Sequence, residues 1–195
     1  MDAYDFDGTI YDGDSSVDFT LFCLRRRPAC LLSVPRMAAS AALYALGRVD
    51  KTRMKEGLFS YLRRARVDDA LLGEFWDAHL RKVKAFYLER RRDDDLVISA
   101  SPEFLLAPAC ARLGIRPPIA SRVDRATGRF DGPNCHGPEK VRRLREALPG
   151  ARVGAFFSDS ASDAPMAQVA ERAWAVSGDR VFPWPESWSA APRRA

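Results

Sequence analysis

The sequence Asp5-Phe6-Asp7-Gly8-Thr9 stands at the end of a short apolar run, residues 3–6, that is typical of a buried strand. A strand period of two places the carboxylates of Asp5 and Asp7 on one side and Phe6 on the other. Two carboxylates this close attract a hard cation, and Gly8 lets the backbone turn and present amide groups to an anion. In such a pair, one carboxylate is able to attack a phosphorus atom while the other transfers a proton.

Three further apolar runs predict strands, and they cover residues 96–100, 153–157 and 173–176. Between the first two of these we expect a helix over 103–113 that ends at Gly114, two short strands within 119–130 and a helix over 138–148. Strands that alternate with helices in this way predict an α/β fold with a Rossmann-like parallel sheet.

The interval from residue 12 to residue 90 lacks any buried-strand pattern and favours helices throughout. The helices that we expect there cover residues 19–26, 37–47, 52–66 and 69–92. We therefore predict a catalytic α/β core formed by residues 1–11 and 91–195, with residues 12–90 inserted as an all-helical cap. Such a cap would lie over the carboxyl edge of the sheet, where α/β proteins bind their ligands.

Further polar side chains follow the predicted strands. Ser99 and Ser101 end the second strand, and Asp159 and Asp163 follow the third one, where either could also serve as a helix N-cap. Lys140 stands near the start of the 138–148 helix, where a cation is unfavourable unless it faces a bound anion. These groups predict a phosphate and metal site at one edge of the sheet.

Taken together, these four segments resemble the motifs of the haloacid dehalogenase superfamily of phosphohydrolases. The resemblance implies that Asp5 attacks phosphate to form an aspartyl-phosphate and that Asp7 acts as general acid and base. It implies that Thr9, Ser101 and Lys140 bind the phosphate, with Ser99 as the alternative to Ser101. It also implies a magnesium ion, Mg²⁺, with the ligand set Asp5, Asp7 (through its backbone carbonyl), Asp159 and Asp163.

A helical insertion directly after the first motif resembles the C1-capped subfamily IB, which includes phosphoserine phosphatase. Ser158, Ser160, Pro102 and Glu103 stand where that enzyme has glycines, and this departure favours the phosphatidylglycerophosphatase-like branch. The resemblance thus leaves two substrate classes open, a lipid phosphate with its head group and a small soluble phosphomonoester. A protein that binds phosphate or a head group without catalysis is the other alternative, but it would need neither Asp5 nor Asp7.

The 195 residues carry 31 basic and 26 acidic side chains, a net charge of +5, and 26 of the basic ones are Arg. Both a codon bias and an anionic partner would explain this excess, but the sequence shows no aromatic platform for nucleic acid. The four Cys residues form no CxxC pair, and the chain begins without a secretory pattern. These features predict a reduced, cytoplasmic protein. Cys135 and His136 lack a second pair at zinc spacing.

One apolar segment, residues 28–47, has nearly the length of a membrane span. Its central Arg36 and the helix-breaking Pro35 argue against a spanning helix. Two predictions then remain for this segment. It forms a buried helix of the cap, or it makes peripheral contact with the inner face of a membrane, where flanking Arg residues would meet the lipid headgroups.

Overall fold

Residues 1–189 are the part of the chain that this computed structural model describes, and six strands form one sheet in it. The strands are β1 (Ala3–Tyr4), β2 (Leu96–Pro102), β3 (Ile119–Ser121), β4 (Ala155–Ser158), β5 (Arg172–Ser177) and β6 (Arg180–Pro183). Their order across the sheet is β3-β2-β1-β4-β5-β6. The first five strands pair in parallel, and β6 pairs antiparallel with β5. The predicted α/β fold with a parallel sheet is therefore confirmed, whereas β6 was not predicted.

The central strands are buried on both faces, as parallel sheets require. Tyr4, Val97 and Phe157 belong to one apolar cluster, while their chain neighbours Ala3, Ile98 and Phe156 belong to a second one. Because successive side chains of a strand point to opposite faces, these clusters mark the two sides of the sheet. Strand β1 lies between β2 and β4, and the backbone N–H of Asp5 extends its pairing by donating to Phe157 O at 2.9 Å.

Ten α-helices accompany the sheet within the described residues. They are α1 (Ser15–Arg26), α2 (Val34–Ala45), α3 (Lys51–Leu58), α4 (Leu62–Ala65), α5 (Asp69–His79), α6 (Ala85–Arg90), α7 (Glu103–Leu113), α8 (Pro138–Ala147), α9 (Ala164–Ala167) and α10 (Glu186–Ser189). The first six lie between β1 and β2, where helices were predicted. Helix α7 has the predicted bounds and ends at Gly114, which adopts a φ of 68°. Trp76 of α5 donates its indole N–H to Leu105 O of α7, so the inserted helices share a core with the sheet.

The prediction of one continuous helix over residues 69–92 is wrong. Helix α5 ends at His79, a 3₁₀ turn covers Leu80–Lys82, and Val83 pairs antiparallel with Tyr11 before α6 begins. Backbone hydrogen bonds from Asp12 N to Lys82 O and from Lys84 N to Ile10 O, both 2.8 Å, complete this joint. Residues 82–84 pair with residues 10–12 of the loop after β1, and these hydrogen bonds interrupt the helix that the sequence pattern predicts. A 3₁₀ turn at Phe59–Tyr61 likewise interrupts the helix predicted over 52–66.

The expectation that the apolar segment 28–47 forms a buried helix is wrong, because α2 lies on the surface. None of its residues is buried, although its sequence is almost entirely apolar. It is held to α3 by a close approach, since Ser40 Oγ donates to Met54 O at 3.0 Å and a Cβ on Gly57 would lie 2.1 Å from Ser40 Oγ. No helix within residues 1–189 combines the length and the apolar character that crossing a bilayer demands.

The aromatic segment after β6 packs back onto the sheet. Trp184 joins the cluster that contains Phe156, with 6.3 Å between the ring centroids. Trp188 of α10 contacts Trp184 edge to face at 5.1 Å. Burial of these rings explains why the segment lies against the core.

Candidate active site

Asp5 and Lys140 form an ion pair directly beyond β1. Lys140 Nζ lies 2.9 Å from Asp5 Oδ1, and their side chains are 2% and 14% exposed. The same Oδ1 accepts the backbone N–H of Phe6 at 2.9 Å, which fixes the carboxylate against its own loop. Burial raises the pKa of the Asp5 carboxyl, and the positive charge of Lys140 opposes that rise. Both contacts use Oδ1, which leaves Oδ2 as the oxygen available for other chemistry.

Asp7 is held by two donors from different elements. Its Oδ1 accepts the backbone N–H of Ser15 at 2.6 Å, at the start of α1, and its Oδ2 accepts a short hydrogen bond from Ser101 Oγ at the end of β2. Burial and the charge of Asp14 raise the pKa of Asp7 to about 6, while the hydrogen bonds from Ser101 and Ser15 limit the rise. A carboxyl with a pKa near neutrality is suited to give and take a proton.

Gly8, Thr9 and Asp159 pack together where the first loop meets the end of β4. Gly8 adopts a φ of +71°, and a Cβ there would lie 1.9 Å from Asp159 Oδ2. Thr9 is buried, and its Oγ1 accepts the backbone N–H of Asp159 at 3.0 Å. The same hydroxyl lies 3.5 Å from Asp159 Oδ1. Thr9 thus contacts Asp159, which follows β4, and the phosphate-binding role that the resemblance implies for it stays a prediction.

Asp163 lies behind Lys140 and is 1% exposed. Its Oδ2 accepts hydrogen bonds from Lys140 Nζ and Ser158 Oγ, both at 2.7 Å. Burial lowers the pKa of the Lys140 ammonium. The negative charges of Asp5 and Asp163 raise it by more than burial lowers it, so the pKa lies above its usual range. Two carboxylates therefore share one ammonium in a buried cluster, which leaves an excess of negative charge.

The acidic side chains around Lys140 are the candidate ligands of a magnesium ion. Within residues 1–189, no three or more acidic, His or Cys side chains come together as an all-protein metal site requires. Magnesium takes only one or two carboxylates and completes its shell with water and substrate phosphate. Asp163 Oδ1 is buried and has no hydrogen-bond partner among the described residues, so the cluster retains an unsatisfied acceptor. This acceptor and the excess negative charge fit a divalent cation that takes one or two of the carboxylates as ligands and completes its shell with water and phosphate.

The two candidate serines of β2 have different partners. Ser101 Oγ contacts Asp7 and also lies 2.9 Å from Ser16 Oγ of α1. Ser99 Oγ accepts the backbone N–H of Ser101 at 3.1 Å and is fully buried. Ser101 therefore lies among the carboxylates, and Ser99 supports its backbone.

Neither Asp159 nor Asp163 serves as a side-chain N-cap, the alternative that the sequence left open. Ser160 Oγ instead accepts the backbone N–H of Ser162 at 3.3 Å and caps the 3₁₀ turn Ala161–Asp163. Helix α9 begins after Asp163 without a side-chain hydrogen bond at its cap. Both carboxylates are thereby left for the contacts described above.

Several basic groups at the site were missed by the sequence reasoning. Lys84 Nζ donates a short hydrogen bond to Gly8 O. Lys55 Nζ of α3 donates to Ala100 O at 2.8 Å and to Asn134 Oδ1 at 3.3 Å. Burial and the charge of Lys51 lower the pKa of Lys55 to about 8. With only five Lys in the chain, the repeat of Lys at 51, 55, 82 and 84 in a segment otherwise rich in Arg was the available signal.

Comparison with known proteins agrees with this geometry. A family model described as haloacid dehalogenase-like hydrolase matches residues 3–168, which include all the carboxylates above. Protein CicA of Caulobacter vibrioides is 28% identical over 195 residues, covering 92% of this chain and 85% of that protein. A histidinol-phosphatase of Neisseria meningitidis serogroup C is 30% identical over 123 residues, covering 55% of each chain.

Solved structures share the fold. A protein of unknown function from Bordetella pertussis Tohama I superposes with a TM-score of 0.73 at 21% identity, covering 89% of this chain and 87% of that one. A phosphoserine phosphohydrolase-like protein from Francisella tularensis gives a TM-score of 0.53 at 16% identity, covering 89% and 86%. At these identities the similarity supports the fold alone.

Proposed function

The chain belongs to the haloacid dehalogenase-like hydrolases and is a phosphatase of that type, and on this premise we propose that it hydrolyses phosphomonoesters with magnesium through an aspartyl-phosphate. The observation that carries the proposal is the arrangement of two neighbouring carboxylates with unlike partners. Asp5 contacts the ammonium of Lys140, whereas Asp7 contacts the hydroxyl of Ser101. These environments separate a nucleophile from an acid and base.

In the first step, Asp5 Oδ2 attacks phosphorus and the bond from phosphorus to the ester oxygen breaks. Lys140 stabilises the carboxylate form of Asp5 and the negative charge on the phosphoryl oxygens. Asp7 gives its proton to the leaving alkoxide. Ser101 and Thr9 lie beside these carboxylates, and we assign Ser101 to phosphate binding, with Ser99 supporting it. Thr9, whose hydroxyl already holds the backbone of Asp159, positions that carboxylate.

In the second step, the carboxylate of Asp7 removes a proton from water, and the resulting hydroxide oxygen bonds to phosphorus. The bond from phosphorus to Asp5 breaks, which releases inorganic phosphate, restores the Asp5 carboxylate and leaves Asp7 protonated. The backbone N–H of Ser15 holds Asp7 in place through both steps, because its hydrogen bond does not depend on the proton at Oδ2. Each turnover thus consumes one water and returns the proton to Asp7.

A magnesium ion would be held by Asp5, the backbone carbonyl of Asp7 and Asp159, with Asp163 supporting the set. When bound, it would neutralise phosphoryl charge and hold the phosphate in line with Asp5. Lys140 and Asp163 keep Asp5 oriented, since they form one buried chain of contacts.

The test is release of p-nitrophenol from p-nitrophenyl phosphate with magnesium and after its removal by EDTA. We expect activity that depends on the metal and is abolished in Asp5→Asn, while the exposed Asp93→Asn serves as the matched control. Acid-quenched wild-type protein should retain labelled phosphate that alkali releases, as an acyl phosphate does. Turnover without metal, or full activity in Asp5→Asn, contradicts the proposal, and binding without turnover would indicate a phosphate-binding protein.

For the substrate we propose a lipid phosphate, because the inserted helices expose a set of apolar side chains. The exposed apolar residues of α1, α2 and their connections are Val17, Leu21, Leu31, Leu32, Val34, Leu43, Tyr44 and Leu46. From residue 19 to residue 49 the chain has five Arg and no acidic residue. An apolar surface with Arg alone matches the anionic headgroup layer of a membrane. This favours peripheral contact with the inner membrane face.

A soluble phosphomonoester is the second candidate, favoured by the similarity to a histidinol-phosphatase. Co-sedimentation with vesicles that contain phosphatidylglycerol separates the two. We expect Leu32→Ser with Leu46→Ser to release the protein from vesicles and to lower activity on lipid phosphate. Leu88→Ser, an equally apolar exposed side chain of α6, is the control. A wild-type protein that stays in the supernatant and prefers soluble esters contradicts the lipid substrate.

A further inference from the structure

A cavity of about 450 Å³ lies outside the candidate active site. One wall is formed by α2, α3 and the turn Phe59–Tyr61 with the start of α4, and the other by residues 127–132 before α8. Four guanidinium groups line it, those of Arg36, Arg53, Arg63 and Arg129. None of the carboxylates, serines or lysines assigned to catalysis lines this cavity. We name it the arginine cavity.

The arginine cavity has an excess of positive charge that its own acidic groups neutralise only in part, since Glu56 Oε2 lies 3.9 Å from Arg53 Nη1. Its two carboxylates already accept backbone N–H groups. Asp50 Oδ1 accepts that of Arg53 at 2.8 Å, and Glu56 Oε1 accepts that of Phe130 at 3.1 Å. The guanidinium groups of Arg36 and Arg129 make neither a hydrogen bond nor an ion pair with any residue from 1 to 189. Four cations against two carboxylates give a net charge of about +2.

A second observation, independent of charge, also indicates a polar ligand. Ser60 lines the cavity, is 3% exposed, and its Oγ has no hydrogen-bond partner among residues 1–189. A buried hydroxyl without a partner is destabilising, so such groups are satisfied by water or by a ligand. Its hydroxyl is able to donate to an anionic oxygen.

The walls of the arginine cavity are fixed in place. Phe59 and Phe130 stack with 6.1 Å between ring centroids and 13° between the ring planes, which joins the turn that carries Ser60 to the loop of residues 127–132. Gly128 approaches so closely that a Cβ would lie 2.4 Å from Phe59 O. Asp124 holds the loop through hydrogen bonds from Thr127 N at 2.7 Å and Thr127 Oγ1 at 2.6 Å. The arginines are thus presented by a preformed concave surface.

We propose that the arginine cavity is a second phosphate-binding site, which takes a phosphate group without hydrolysing it. Guanidinium groups match phosphate oxygens in bidentate hydrogen bonds, and the two carboxylates of the cavity, Asp50 and Glu56, are not among the residues that we assign to catalysis. Arg36 also belongs to α2, the exposed apolar helix, so an anionic phospholipid headgroup and a soluble phosphate are the two sources of this chemistry. The site goes beyond the proposed function because binding there requires no turnover.

The test uses the full chain labelled with ¹⁵N and titrated with inorganic phosphate. The amide signals of Thr127 and Gly132 report on the arginine cavity, and that of Gly8 reports on the active site. We expect both sets to shift, and the double variant Arg36→Gln with Arg129→Gln to weaken the cavity response on the order of tenfold or more. Arg145→Gln, an exposed arginine of α8, removes one charge as the control. Co-sedimentation with vesicles of phosphatidylcholine, with and without phosphatidylglycerol, forms the second arm.

Each outcome either identifies the source of the phosphate group or contradicts the proposed phosphate site in the arginine cavity. A phosphate response that the double variant loses, with vesicle binding unchanged, identifies a soluble phosphate. Vesicle binding that is lost in the double variant and kept in Arg145→Gln identifies a lipid headgroup. Cavity signals that ignore phosphate, together with vesicle binding that the double variant retains, overturn the proposal. Gly8 responds separately, so an inactive enzyme would not be mistaken for an empty cavity.

Discussion

A Cβ atom on Gly8 would lie 1.9 Å from Asp159 Oδ2, so the nucleophile loop and the carboxylate after β4 fit together only because residue 8 has no side chain. Gly114 has nearly the same φ of +68° but no atom within 4 Å of its Cβ position. A side chain at either glycine would therefore strain the backbone to a similar degree. Only at Gly8 would it also collide with another residue, Asp159.

Gly8→Ala should cost about 1–2 kcal/mol from the left-handed backbone and also displace Asp159. We expect kcat/KM to fall about a hundredfold, the effect of moving a reacting group by about 1 Å. Gly114→Ala should show the stability loss with activity unchanged. Urea unfolding and p-nitrophenyl phosphate kinetics on both variants provide the measurement, and equal activity losses would contradict the fit with Asp159.

Asp7→Asn should lower turnover by about 10²–10⁴-fold, because it removes the proposed general acid and base. p-Nitrophenolate leaves without help from an acid, so the first step on p-nitrophenyl phosphate should survive better than the second. We therefore expect a burst of p-nitrophenol followed by slow turnover and an accumulated phosphoenzyme. Rapid-quench kinetics measure the burst, with Asp93→Asn as control. Loss of the burst together with turnover would assign Asp7 a role in the first step alone.

Ser101→Ala should lower kcat/KM and move the pH profile, since Ser101 donates to Asp7 and lowers its pKa. Without that hydrogen bond the pKa of Asp7 rises above about 6. The acid form then persists to higher pH, and the basic limb measured with an alkyl phosphate should move upward. Ser99→Ala, which removes the acceptor for Ser101 N, should leave the limb nearer its wild-type position. If the basic limb of the pH profile is unchanged in Ser101→Ala, Ser101 does not influence the pKa of Asp7 and the prediction is wrong.

Asp95 predicts a pH dependence of stability at the start of β2, far along the strand from Ser101. It is fully buried, its Oδ2 accepts Arg92 N at 2.9 Å, and its Oδ1 lacks a partner among the described residues. Burial, with the charges of Asp2 and Asp94, raises the pKa of Asp95 to about 6. The folded state therefore binds this proton more tightly than the unfolded state, whose pKa is about 3.9.

The stability that Asp95 contributes is present below pH 4 and is lost as the pH rises through 6. Asp95→Asn cannot ionise, so its free energy of unfolding should exceed that of wild type by a margin that grows from pH 5 to pH 8. Urea unfolding across this range measures the margin. The exposed Asp93→Asn should show no such trend, and a constant difference for Asp95→Asn would rule out the titration.

The apolar runs in the sequence predicted the strands, and with them the polar side chains that follow each strand. Asp5, Ser101 and Asp159 come directly after apolar runs, and parallel strands bring their carboxyl ends to one edge. The break at Val83 was not predictable, since its cause is pairing with Tyr11, far away in the chain. The site residues Lys55 and Lys84 were missed for the same reason, because long flexible side chains reach partners that only the tertiary structure brings near. Exposure of α2 was missed because its composition is that of a buried helix.

The antiparallel pairing of Tyr11 with Val83 means that the inserted helices leave the sheet and return to it at one point. Where the chain returns to the sheet, Lys84 Nζ donates a hydrogen bond to Gly8 O. Where the chain leaves the sheet, the backbone N–H of Asp12 donates to Lys82 O. We therefore expect that exchanging the intervening helices at this junction leaves Asp5 and Asp7 in their places. On the proposed function, such an exchange would alter the range of substrates and leave the chemistry intact.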